Sequence, residues 1–590
     1  MTFKPMLFVL FLSISLISCN NEELFVEPTA DVVVDDETNQ PNDETSEKDN
    51  TPPVDASSPC EFNLNSVQPN STVIINCSLD LGGQTINLPN NVTIVYEGGE
   101  IINGTLNFSG GNVISGDLLN STLTIGGSKP LLKDPVFNFI PSRWGIVEGK
   151  VSDAVALSNR NILNSMFSQV KNLGVNTFRI DKMDAYFLVS KTDNFPPKYR
   201  MGDIFLPSNF NLVMTDNTHL RVQPNGFTYY NLLAVYEESN VTITGGHLHG
   251  DREEHTYIGE GGVTGHGASV LLNLEAAANV TVDGVDFQYA TADGILIKAV
   301  GFSFNPDYNP SRDILIKNCV LNMSRRNNIS IVNAHDVIIE NCQILNAGVA
   351  TSKTVGTLPK LGIDIEALRD RDANGNFIMY EIVKNVIIRN NVERGSVSGG
   401  FLVAIGDDTI IENNDMENSI GYGLSTGVKI RNNKITGTSA KHLNTAAIGA
   451  GDPNSDTCYN NEVSGNIVKG YEIGVSLYAR DAKIYDNTLE NLRYGIFITN
   501  NKVKNTDIYN NTIKSSVANS FGFYAQLTAL DNINITGNKI DVKSNAIAFV
   551  NINLGSGENN NKVNVNNNSI MSSRAVSVEN SLGISLLNNN

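Results

Sequence analysis

One motif recurs along most of this chain and restricts its fold more than any other feature. Short alternating segments end in a polar turn that holds Asn or Cys. They run Asp313–Cys319, Asp336–Cys342, Asn385–Asn391, Asp408–Asn414, Val428–Asn433, Ala482–Asn487, Asp507–Asn511 and Asn532–Asn538. A second short strand usually follows, as in Gly294–Ile297, Asn328–Ile331 and Tyr494–Ile498. Cys319 and Cys342 are 23 residues apart, as are Asn391 and Asn414. A strand-rich repeat of this length cannot bury its apolar face alone and must stack on its copies. The reading is an all-β chain: a right-handed parallel β-helix with a column of stacked Asn at one corner. Asn suits that corner because it tolerates left-handed backbone and can bond to its copy in the next rung. Cys319 and Cys342 then read as stacked buried thiols in the same column.

This architecture replaces the several domains that 590 residues would otherwise suggest. Residues 240–590 read as regular β-helix, and 60–239 as an irregular N-terminal cap with the first rungs. Val155, Leu157, Ile162, Met166 and Val170 recur at helical spacing within Asp153–Asn172, a short helix that Asp153 is placed to cap. Cys60 and Cys77 read as a disulfide at the start of the folded region.

The N-terminus reads as an address. Lys4 precedes an apolar run from Met6 to Ile17, too short to span a bilayer and typical of a signal peptide over residues 1–18. Leu16–Cys19 resembles a bacterial lipobox, which implies lipid on Cys19. Acidic residues after the Cys resemble the surface-export signal of Bacteroidetes lipoproteins. The implied location is the outer membrane, lipid-anchored and facing outward. Residues 19–59 read as a disordered acidic tether: twelve acidic residues against one lysine between Asn20 and Pro59 contribute −11 of the formal charge of −20. The remaining acidity still argues against nucleic acid, which is gripped by basic patches.

Two stretches interrupt the repeat: Gly245–His255 with Gly265–Gly267, and Ala347–Pro359, which leads into Gly362–Glu366. Aligning Gly267–Val270, Gly294–Ile297, Asn328–Ile331 and Gly362–Ile365 sets Ile363 and Ile365 inward. Asp364 and Glu366 then face outward, about 6.6–7 Å apart along the strand. The same alignment stacks His266, Asp293 and Asn327, with Arg325 and Arg326 beside them, and sets Lys298 in the column of Glu366. Asp251, Arg252 and His255 emerge from the insertion. Each residue alone fits an ordinary turn or solvated strand face. Together they form a mixed acid, His and Arg cluster of the kind that acid/base chemistry on a sugar requires.

The chain resembles the pectate-lyase-like β-helix superfamily, through its repeats and the helix-then-strands entry. That resemblance implies an enzyme acting on an acidic poly- or oligosaccharide. For β-elimination, by a lyase or a dehydratase at a chain end, Arg252 and Arg325 would hold a uronate carboxylate. His266 would be the base and Tyr257 or His255 the acid, with Lys298 and Arg326 binding substrate. For hydrolysis, Asp364 and Glu366 would be acid and base, a pair resembling that of iota-carrageenase. Gly265–Gly267 is shared with polygalacturonases, but there it follows the Asp motifs and here it precedes them. A non-catalytic glycan-binding β-helix is the third reading. Finally, Asp370, Asp372, Asn374 and Glu381 match the spacing of a calcium loop, the one cofactor expected.

Overall fold

The computed structural model describes residues 58–189, 202–257, 268–452, 458–499, 502–572 and 574–590. The expected signal peptide, almost all of the expected tether, Cys19 and His266 lie outside them. The chain winds as a right-handed parallel β-helix. Each turn lays one strand in each of three parallel sheets, of 16, 14 and 14 strands. One turn shows the pattern. Ser311–Lys317 lies in the first sheet, Val320–Asn322 in the second and Ile329–Ile331 in the third, and the chain re-enters the first sheet at Ala334–Glu340. Inward residues such as Ile314, Ile316, Leu321, Ile329 and Ile331 are fully buried and form one continuous apolar core.

The stack starts earlier than the sequence repeat suggests. The first sheet begins at Val136–Asn138 and the second at Met183–Phe187, well before Asn240. Residues 60–132 form smaller parallel sheets of four, three and two strands, fastened by a Cys60–Cys77 disulfide with a Cα–Cα distance of 5.2 Å. The helix spans Asp153–Asn172 as its periodicity predicts, but Ser152 is its N-cap and Asp153 instead accepts from Gln223 at 3.0 Å. Its buried Phe167 packs on Phe178 and Phe210, with ring centroids 4.8 and 5.2 Å apart, and so covers the first turns of the core. Among the described residues no helix is long and apolar enough to cross a membrane.

The corner between the first and second sheets divides its two tasks between adjacent residues. Asn390, Asn413, Asn432 and Asn510 adopt left-handed backbone at φ 56°. The residue after each one makes the ladder. Asn391 donates to Asn414, Asn414 to Asn433, Asn433 to Asn466 and Asn466 to Asn487, all at 2.9–3.0 Å. Cys319 and Cys342 continue that column, with Cys342 donating its backbone N–H to Asn391 Oδ1 at 2.9 Å. From Lys317 onward this corner always holds two residues, whereas the other two corners vary in length. Both variable corners border the third sheet.

Candidate functional site

The third sheet, flanked on both edges by the long corner loops, is taken as the floor of a candidate groove. Its outward positions form two columns. One carries Asn273, Leu296, Ser330, Asp364 and Leu402 in successive rungs. The other pairs Tyr236 with Glu275 and Glu275 with Lys298, and Glu366 follows two rungs further on. The expected register holds from Ile295 through Ile329 to Ile363. It fails one rung earlier. Val270 lies beside Asp293 and Leu272 beside Ile295, so this strand is displaced by four residues from the expected alignment. The position next to Asp293 therefore belongs to Val270 and not to residue 266. The same displacement brings Glu275 into the groove, where its carboxylate pairs with Lys298 Nζ at 2.9 Å.

Loops raise a wall on each side of this floor. The wall from the second-to-third corner includes Asp251–Tyr257 and residues 347–360. Asp251 is buried and accepts four hydrogen bonds: from Tyr230, from Thr291 at 2.7 Å, from the Asn225 amide at 3.0 Å and from His255 Nδ1 at 2.7 Å. Arg252 is also fully buried, and its guanidinium donates to the Met323 and Val349 carbonyls. Tyr257 donates to the Arg252 carbonyl at 3.0 Å, while Arg325 lies 4.5 Å from the Tyr257 ring centre and donates to Thr354 at 3.0 Å. Asp251, Arg252, His255, Tyr257 and Arg325 thus clamp rungs and insertions together. A guanidinium committed to two backbone carbonyls is not free to grip a substrate carboxylate, which corrects the expected role of Arg252. Arg325 likewise belongs to the wall.

The opposite wall, from the third-to-first corner, joins residues 299–310 to a hairpin of Arg369–Arg371 and Phe377–Met379. Ser303 donates its backbone N–H to the Tyr380 carbonyl at 2.9 Å. Phe302, Phe304 and Tyr380 form an aromatic cluster with centroids 5.4–5.9 Å apart, and Phe304 is 61% exposed. The expected calcium loop is this hairpin. Asp372 accepts from the Asn374 and Asn376 amides at 2.8 Å, and Glu381 from the Leu368 amide at 2.8 Å. Asp370, Asp372 and Glu381 do not converge on one point. The Asp and Gly of the motif serve a turn.

The acids on the floor are close-set and unequal. Asp293 accepts from the Asn327 amide at 3.0 Å and from Ser330 at 2.9 Å, and pairs with Arg326 Nε at 3.1 Å. Arg326 in turn feels Asp293 first, then Asp364 and Glu366, which hold its proton more tightly. Asp364 is buried. Its Oδ2 accepts from Asn327 Nδ2 at 3.1 Å, and its Oδ1 has no hydrogen-bond partner among the described residues. Burial, then the neighbouring Glu366 carboxylate, pushes the Asp364 carboxyl up to about 7. Glu366, two residues along the strand, is exposed. A register shift between Ile365 and Glu366 sets it off from the next rung. One carboxyl that keeps its proton near neutrality beside one that faces solvent is the arrangement that acid/base chemistry requires. Asp203 lies further along the same sheet, buried, accepting from Asn231 at 2.8 Å and pushed up to about 7 by burial. Asp203, Asn231, Asn273 and Glu275 were missed in the sequence. Extending the register from Lys298 back to Glu275 is the signal that finds the last two.

A family model described as a right handed beta helix region matches residues 373–540. Two curated relatives come from Bacillus subtilis (strain 168). The chain is 29% identical over 409 residues to the uncharacterized protein YclG, covering 65% of this chain and 67% of that one. It is 28% identical over 294 residues to the SPbeta prophage-derived uncharacterized protein YorA, covering 49% and 48%. Thus the match spans about half of YorA. Among solved structures, the chain is similar to the tailspike protein of E. coli bacteriophage HK620 in complex with pentasaccharide, with TM-score 0.51, 14% identity and coverage of 76% and 79%. A mutant of that tailspike in complex with hexasaccharide gives TM-score 0.52, with 76% and 78% covered. At this identity the likeness establishes the fold.

Proposed function

We propose that this protein is a glycan-cleaving enzyme that hydrolyses a polysaccharide laid along the third sheet. The observation that carries the reading is the Asp364–Glu366 pair. Asp364 would protonate the departing glycosidic oxygen, since its carboxyl holds a proton to about pH 7. Glu366 would activate water from the exposed side. The i, i+2 spacing of about 6.6–7 Å along a strand falls in the range of inverting enzymes, about 6.5–9.5 Å. Asn327 orients Asp364, and Asp293 fixes Arg326 beside it. Arg326 and Lys298 are matched by Asp293 and Glu275, so the floor carries paired charges around the acid pair. The exposed Phe304 with Phe302 and Tyr380 supplies apolar surface for sugar faces.

The oligosaccharide complexes of the similar tailspikes support a glycan as the occupant of such a groove. Elimination is the weaker reading, because the two arginines it requires are built into the wall. Lipid on Cys19 would hold the enzyme at the outer membrane, facing extracellular glycans. Labelling with a palmitate analogue, lost in Cys19→Ala, tests that anchor.

Incubation with uronate-bearing and sulfated glycans tests the reaction. New reducing ends without absorbance from an unsaturated sugar are expected. Asp364→Asn and Glu366→Gln should each lower kcat by about 10²–10⁴ with little change in KM. An unsaturated product, or full activity in both variants, refutes the proposal.

A further inference from the structure

The second sheet carries a cluster that the groove does not use. His219 lies in the strand Thr218–Val222, and His247 and His249 in the next rung. His219 is in register with His247, and Arg221 with His249. Leu220 and Leu248 between them are buried, so the three imidazoles share the outward face. Their rings are nearly parallel, within 13–24°, with centroids 4.5–5.9 Å apart. One ring nitrogen of each lies within 4.8 Å of the others.

We propose that His219, His247 and His249 bind a divalent transition-metal ion of the zinc class on the outer face of the second sheet. Imidazole is the ligand type that suits zinc and its neighbours and not calcium or magnesium. His219 Nδ1 and His249 Nε2 are 3.1 Å apart, close to the roughly 3.3–3.4 Å edge of a tetrahedron with zinc–nitrogen bonds of about 2.0–2.1 Å. His247 Nδ1 is 2.8 Å from Asp286 Oδ2, and its Nε2 is 3.1 Å from the Asp216 carbonyl. Asp286 on Nδ1 fixes the ring, and a metal at Nε2 would replace the contact with the Asp216 carbonyl. The surrounding charge is arranged to suit a cation. Arg221, the nearest base, is paired with Asp184 at 2.5 Å, which leaves Asp286 to balance an added charge.

Three half-buried ligands leave a fourth position for water or a ligand, the pattern of open and not of closed zinc sites. The cluster is separate from the acid pair, and its metal stands or falls independently of the hydrolase reading.

Full-length protein stripped with chelator and titrated with Co²⁺ tests the site, with Zn²⁺ competition read against a chromophoric chelator. One ion per chain is expected, with the visible absorption of low-coordinate Co²⁺, displaced by Zn²⁺. His219→Ala and His249→Gln should each lose that binding, and Asp286→Asn should weaken it about 10–100-fold. His335→Ala, elsewhere on the first sheet, should bind as wild type, and circular dichroism reports whether each variant is folded. Absence of stoichiometric binding to wild type, or binding retained in the folded His219→Ala, His249→Gln double variant, would show that the rings merely stack. Tyr485 and Tyr509 do so elsewhere, with centroids 4.8 Å apart.

Discussion

Replacing Asn433 by Ala cuts the Asn ladder at a single rung. The side chain is buried and makes four hydrogen bonds. Its Oδ1 accepts from the Asn414 amide at 3.0 Å and from Asn414 Nδ2 at 2.9 Å. Its Nδ2 donates to the Ile411 carbonyl at 2.9 Å and to Asn466 Oδ1 at 3.0 Å. Two of these losses are softened, because Asn414 Nδ2 keeps the Ile388 carbonyl and Asn466 Oδ1 keeps the Asn433 amide. The Asn414 amide has no such second partner among the described residues. A buried orphan amide costs about 1–3 kcal/mol and each further bond about 0.5–1.5, so roughly 3 kcal/mol is expected in total. In a stack where each rung touches only its neighbours, that loss should stay local. Hydrogen exchange read by mass spectrometry is the assay. Peptides over 410–416 and 429–436 should exchange about a hundredfold faster, while peptides over 314–322 should not change. The companion Asn432→Gly alters only the left-handed residue, at φ 56°, and should be nearly silent. Exchange within about threefold of wild type at the cut rung, or an equal loss across all rungs, would refute the reasoning.

Activity on a glycan should fall as pH rises through about 7, where Asp364 loses its proton, and Asp364→Glu should move that limb if the residue is the acid. Asp203 has the same sign for stability. Its folded form keeps a proton up to about 7 that the unfolded chain releases near the ordinary carboxylate range, so stability is lost as pH rises through that window. Asp203→Asn should therefore lose less stability than wild type between pH 5 and pH 8, by a few kcal/mol at most, measured by urea denaturation; an unchanged pH dependence would sink the assignment. Cys60→Ser with Cys77→Ser opens a loop of sequence separation 17 and should loosen the N-terminal sheets by about 3 kcal/mol. Limited proteolysis with cuts confined to that region is the expected readout.

Much of the fold was legible because the inward columns alternate. Ile314 and Ile316 repeat as Val337 and Ile339, then Val386 and Ile388, each pair followed by a charged residue and then Asn. The helix was legible for the same reason, at a period of 3.6. The error came where that signal fades. The strand Ala268–Glu275 is buried on both faces from Ser269 onward, since groove and wall cover its outward side. A strand covered on both sides reads as a continuous apolar run and carries no alternation to fix its register. That hid Glu275 and misplaced the rung before Asp293. The wall residues failed differently. Asp251, Arg252 and His255 have the composition of a catalytic cluster, and only their hydrogen-bond partners show that they hold loops. The His219–His247–His249 cluster escaped notice because its members come from two rungs, and the first rung precedes the segment taken as regular.

The constant two-residue corner has a consequence for how such a molecule can change. Every ladder residue is bonded to the rung before and the rung after, so an insertion there would break two joints at once. The other corners carry no such obligation, and all the long loops are found at them. The molecule thus keeps an unalterable spine along one edge and exchangeable banks along the other two. New surfaces can be built by grafting banks while the spine goes on folding as before.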